Sequence, residues 1–359
     1  MSQFERLTLL GGRELERALE WITKTTSNFS LLNSLDRNNH IIDVKGMIEH
    51  ADFYSGNAKW AKNPASFYAK PKTSPDVKSK LIHGLKDGGV IDLSFESSYV
   101  PQNPAYEILF ERYSENKFVH ARYWQHTEKA KGTIIALHGW TMGDQRLNSL
   151  AFLPGYFYKQ GYDVMLVELP FHGRRKPKEL TQDQADSLFP GSNLALTNEV
   201  IAQFIHDLRQ LKMFLDKHGA AKTGCVGMSL GAYFASLWAM LDRLDFCIPI
   251  VPVSSMSEIA WKALKTIPHF ADLKRDGLSK PLLERGFAIH CPLSFTPQTQ
   301  AEKVMILAGL ADKIVPSSQP RALWKHWGKP DMHWFRGGHL LQFKSRRALS
   351  MISKFLKSL

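Results

Sequence analysis

The chain has 359 residues, 44% hydrophobic and 22% charged, a balance that suits a folded protein with one large core and excludes a disordered or fibrous chain. Lysine and arginine exceed the acids by 46 to 34, a net charge of +12, but the basic residues are dispersed and accompany no nucleic-acid motif, so a solvated basic surface is expected and no nucleic-acid partner. Three cysteines without paired spacing, Cys225, Cys247 and Cys291, point to a reducing, cytoplasmic compartment.

Met1 to Thr8 carry no secretory signal pattern, and no apolar run is long enough for a transmembrane segment. Peripheral membrane contact stays open, as does the oligomeric state. Along the chain, Leu15, Ala18, Leu19 and Ile22 have the spacing of an amphipathic helix. Ser55 to Lys80 is rich in Pro, Lys, Ser and Asn and reads as irregular connection. Residues 1–89 are therefore expected to form a helical and irregular extension. Ile91, Leu93 and Phe95, then Val119, Ala121 and Tyr123, alternate with polar neighbours, which predicts two half-exposed edge strands.

From Gly132 onward short continuous apolar runs alternate with helical stretches, the pattern of a parallel sheet covered on both faces. The predicted strands are Thr133 to Leu137, Asp163 to Glu168, Thr223 to Val226, Cys247 to Val253, Val304 to Ala308 and His333 to Phe335. The longest predicted helix is Leu194 to His218 and the last Leu341 to Leu359. Residues 256–302 interrupt this rhythm for longer than an ordinary connection. With Trp261, Leu264, Phe270, Leu282 and Phe287, they predict a helical insertion that can cover a site. The catalytic core is then 90–255 and 303–359.

Gly227-Met228-Ser229-Leu230-Gly231 follows an apolar strand and opens a helical stretch. A sharp strand-to-helix turn leaves room only for small residues two places either side of the serine, and exposes that serine at the helix N-terminus. A serine hydroxyl is a weak nucleophile and needs a base, which needs an orienting acid. Asp312, beyond the run Val304 to Ala308, is the expected acid, with Glu258 the runner-up. His339, after Gly337-Gly338, is the expected base, while His333 lies inside a strand pattern and is expected to be structural. The loop His138-Gly139-Trp140 follows the strand Thr133 to Leu137. In this arrangement the oxyanion donors are the amides of the residue after the nucleophile, Leu230, and of that loop, Trp140, with Thr141 a near alternative. His138, Gly139, His172, Arg174, Arg175 and Met228 are candidate substrate contacts, the two arginines for an anionic group. No metal-ligand or phosphate-loop motif occurs, so no metal and no cofactor are implied.

Together the Ser, Asp, His order and these loops resemble an α/β-hydrolase-fold serine hydrolase over Ile91 to Leu359. The fold class is then α/β, a mostly parallel, doubly covered sheet with antiparallel edge strands at its start. The segment Glu168-Leu169-Pro170-Phe171-His172-Gly173-Arg174-Arg175-Lys176-Pro177 resembles one in the alpha/beta-hydrolase-domain-containing protein eighteen group. That resemblance implies a lipid-like acyl ester as substrate. The expected activity is esterase- or lipase-like cleavage of a small-molecule carboxylic ester or thioester. An acyltransferase or serine peptidase would use the same three residues, and a non-catalytic binding protein would be expected to lack one of them.

Overall fold

The computed structural model describes residues 42–339 and 346–359; the helix predicted around Leu15 to Ile22 and the first residues of the predicted last helix lie outside them. Helices α1 (Val44–Gly56) and α2 (Ala58–Lys62) are followed by strands β1 (Lys78–Leu85), β2 (Gly88–Glu96) and β3 (Phe118–His126), with α3 (Pro104–Arg112) between the last two. Then come β4 (Thr133–Leu137), α4 (Gln145–Phe152), α5 (Pro154–Tyr158), β5 (Asp163–Val167), α6 (Gln182–Leu188), α7 (Leu194–Lys217), β6 (Thr223–Met228), α8 (Leu230–Leu241) and β7 (Cys247–Ile250). The remainder is α9 (Met256–Leu264), α10 (Phe270–Arg275), α11 (Lys280–Phe287), β8 (Met305–Gly309), α12 (Ser318–His326), β9 (Asp331–Phe335) and α13 (Arg346–Ser358).

Among the described residues nine strands form one sheet in the order β1-β2-β3-β5-β4-β6-β7-β8-β9. β1 pairs antiparallel with β2, β2 with β3 and β3 with β5, and every pairing from β5 to β9 is parallel. Period-two alternation explains the two layers. In β4, Ile135 and Leu137 join the core beneath α7 and α8, whereas Ile134 and Ala136 join the opposite one with Phe152, Phe157 and Phe355. α8 is buried over its whole length, as its apolar sequence requires of a helix without a polar face.

Two sequence expectations change. Lys78–Leu85, expected within the irregular extension, is an edge strand whose side chains are nearly all exposed, so no buried face imposes an apolar alternation. The neighbouring stretch is not mere connection either, because Trp60, Phe67 and Tyr68 are buried in the main core. Three aromatic side chains anchor it despite its polar composition. A third apolar cluster joins Val44, Met47 and Ala51 of α1 to Leu264 of α9 and Leu282, Leu283 and Phe287 of α11. Segments far apart in sequence thus build one helical layer above the strand ends.

Candidate active site

β6 ends at Met228 and α8 begins at Leu230, leaving Ser229 alone to turn the chain at φ 54° and ψ −114°. A left-handed φ in a residue other than glycine costs about 1–3 kcal/mol. The turn is held by Ser229 N–H donating to the Ile250 carbonyl at 3.0 Å and Tyr233 N–H donating to the Ser229 carbonyl at 2.9 Å. The flanking glycines are sterically required. A Cβ on Gly227 would collide with the Gly231 carbonyl, and one on Gly231 with the Leu137 carbonyl.

Ser229 Oγ lies 2.7 Å from His339 Nε2, and His339 Nδ1 lies 2.7 Å from Asp312 Oδ2. The other carboxylate oxygen, Oδ1, accepts the N–H groups of Ile314 and Val315, each at 2.9 Å. Asp312 sits in the turn after β8 and His339 in the turn after β9. All three residues therefore meet at the carboxyl end of the parallel strands, where sites in open α/β sheets assemble. Glu258 is elsewhere, accepting from Gln319 Nε2 at 2.9 Å. His333 pairs with Asp331 at 3.0 Å on an exposed stretch of β9.

Beside Ser229 opens an apolar cavity of about 110 Å3. Trp140 and Leu230 line it near the serine, and Val253, Met256, Ile259 and Phe287 extend it beneath α9 and α11. Met47 of α1 and Ser187, Pro190, Gly191 and Ser192 also reach it. Sequence reasoning missed both contributions. For α1 a signal was present, since Val44, Met47, Ile48 and Ala51 repeat at the spacing of a buried helical face.

The loop after β4 is rigidly supported. His138 is buried; its Nε2 accepts the Leu169 N–H at 3.0 Å, so Nδ1 carries the proton donated to the Gly139 carbonyl at 2.8 Å. His172 repeats the pattern, accepting the Thr141 N–H at Nε2 (3.1 Å) and donating from Nδ1 to the Pro170 carbonyl (2.8 Å). Burial pushes the pKa of both rings down, that of His138 well below the ordinary range and that of His172 to about 4. Both are neutral at physiological pH. The Thr141 amide is thereby committed to His172.

The other expected substrate contacts are corrected by their surroundings. His138 and His172 have both ring nitrogens engaged by backbone, as above. Gly139 packs near Met228 and Met142, and Met228 is a core residue under the sheet. Arg174 pairs with Glu168 at 2.8 Å and Asp92 at 3.2 Å. Arg175 is fully buried and binds Asp207 at 2.8 Å and the Asn116 carbonyl at 2.7 Å. Neither guanidinium lines the cavity.

The sheet order and the site at its strand ends define an α/β-hydrolase fold. Solved structures agree: an acetyl xylan esterase from Paenibacillus sp. R4 superposes with a TM-score of 0.58 at 14% identity, covering 85% of this chain and 94% of that one. Acetyl xylan esterase 1 from Thermoanaerobacterium sp. JW/SL YS485 gives 0.56 at 15% identity, covering 86% and 93%. Within this fold the profile of one family, described as alpha/beta hydrolase domain containing 18, matches residues 68–263. That is more than half of the chain, which belongs to this family. The uncharacterized protein Rv2627c of Mycobacterium tuberculosis is 29% identical over 306 residues, covering 82% of this chain and 70% of the relative. Among the described residues no helix is long and apolar enough to cross a membrane.

Proposed function

We propose that the protein is a serine hydrolase that cleaves a carboxylic ester or thioester through an acyl-enzyme. The observation that carries this reading is the unbroken hydrogen-bonded chain from Ser229 Oγ through His339 to Asp312, at the mouth of an apolar cavity. Ser229 attacks the acyl carbon as His339 Nε2 takes its proton; the carbon–oxygen or carbon–sulfur bond to the leaving group then breaks, and His339 returns the proton to that group. Water, deprotonated by the same imidazole, releases the acid and regenerates Ser229. Asp312, held by two backbone amides, fixes the Nδ1–H tautomer and stabilises the imidazolium. Leu230 begins α8, where the first amides have no partner within the helix, and with the amide of Trp140 it is assigned to the oxyanion.

The lining favours an uncharged acyl group, and the acetyl xylan esterase identity of the two structural neighbours is consistent with this chemistry. In this reading residues 90–255 and 303–359 are the catalytic core, and 256–302, joined by α1, is the roof of the acyl site. Purified protein treated with a fluorophosphonate is expected to be labelled at Ser229 and to hydrolyse aryl esters; Ser229→Ala should lose both. Replacing His339 by Ala or Asp312 by Asn should lower kcat by several orders of magnitude, leaving a residue of activity from oxyanion binding. Equal labelling of the Ala variant and the wild type would overturn the assignment.

A further inference from the structure

We infer that His172 is a positioning residue for the oxyanion loop: its neutral imidazole holds the Thr141 N–H and so fixes the neighbouring Trp140 amide against Ser229. The inference rests on the serine hydrolase reading above. It begins from the segment Glu168 to Arg175, whose arginines do not reach the cavity. What this segment does instead is grip the loop after β4. Leu169 N–H binds His138 Nε2 at 3.0 Å, Thr141 N–H binds His172 Nε2 at 3.1 Å, and Gln145 Nε2 binds Glu168 Oε1 at 2.9 Å. At Gly143 and Gly173 the two backbones pass so closely that neither position has room for a Cβ.

Among these contacts the one to His172 is made by the residue that follows Trp140, which lines the cavity with Ser229. Thr141 has φ 65°, a left-handed conformation that a threonine holds only when its surroundings impose it. His172 imposes it with a ring that has no solvent exposure and whose other nitrogen is committed to Pro170. The indole of Trp140 is fixed from the same side, Nε1 donating to the Asp186 carbonyl at 3.0 Å. A donor aimed at the oxyanion acts on the transition state and little on the bound ester, so its aim governs kcat rather than KM.

The test compares His172→Met with His172→Gln, side chains of similar size of which Gln offers a strong hydrogen-bond acceptor and Met only a weak thioether sulfur. The Met variant is expected to lose about 10- to 100-fold in kcat on an aryl ester, with KM changed by less than about threefold. Affinity for a trifluoromethyl ketone, which mimics the tetrahedral oxyanion, should fall by a similar factor. The Gln variant should recover most of the loss, with both variants matched to wild type in melting temperature. If the Met variant does not fold, His172→Asn, too short to reach Thr141, takes its place. A folded Met or Asn variant that keeps kcat, or a Gln variant as impaired as Met, overturns the inference. These outcomes are read against an active wild type; a wild type inert towards esters and fluorophosphonates fails the hydrolase reading instead.

Discussion

Asp186 lies just behind the Trp140 indole with 6% of its surface exposed, and its carboxylate accepts from Gln182 Nε2 at 2.7 Å. Burial raises its pKa from 3.8 to about 7. A carboxylate whose folded value exceeds its unfolded value favours the protonated native state, so its ionisation opposes folding. The penalty is absent below about pH 4, grows between about pH 4 and 7, and is constant above. At about 1.4 kcal/mol per unit it amounts to about 4 kcal/mol at most. Asp186→Asn keeps the bond to Gln182 and is expected to melt above wild type at about pH 8 and level with it near pH 4. A lower melting temperature at the higher pH would mean that the carboxylate is a stabilising charge. The sequence revealed Ser229, Asp312 and His339 because each stands at a strand end with its own local signature. Arg175 misled because its partner, Asp207, comes from α7, and Arg174 because Asp92 of β2 and Glu168, six residues before it, are brought to it only by the fold.

At the scale of elements, the parallel strands were readable because burial on both faces leaves continuous apolar runs. β1 was not, since an edge strand facing water needs no such pattern. The roof was half readable: 256–302 stood out as too long for a connection, but its union with α1 depends on packing between the apolar faces of α1 and α11. That union has a functional consequence in the acyl site. Ala260 of α9 lines the cavity, and Ala260→Leu should fill part of its 110 Å3. We expect kcat/KM on esters with long acyl chains to fall about tenfold, from roughly 1–3 kcal/mol of lost apolar contact, with acetyl esters nearly unaffected. A series of aryl esters of increasing acyl length measures this; a uniform loss at every length would show that the chain lies elsewhere.

The whole molecule is organised around the middle of its sheet, where Cys225 of β6 and Cys247 of β7 are register partners with Sγ atoms 3.7 Å apart and no solvent exposure. Cys291 is only partly buried. A thiol reagent should therefore modify Cys291 in the native protein, and Cys225 and Cys247 only as the sheet opens, at a rate that follows global unfolding in denaturant. Modification of all three at one rate in native buffer would contradict a sheet that opens as a unit. The roof also orders events at the ribosome. α1 is made early, yet its apolar face of Val44, Met47 and Ala51 is covered chiefly by α11, more than two hundred residues later in the chain. Until that helix emerges, a nascent chain carries α1 as a sticky, unpaired helix, the kind of exposed surface that chaperones hold. His339 follows later still, so a chain that stops short of it has a substrate pocket already roofed but a serine without its base.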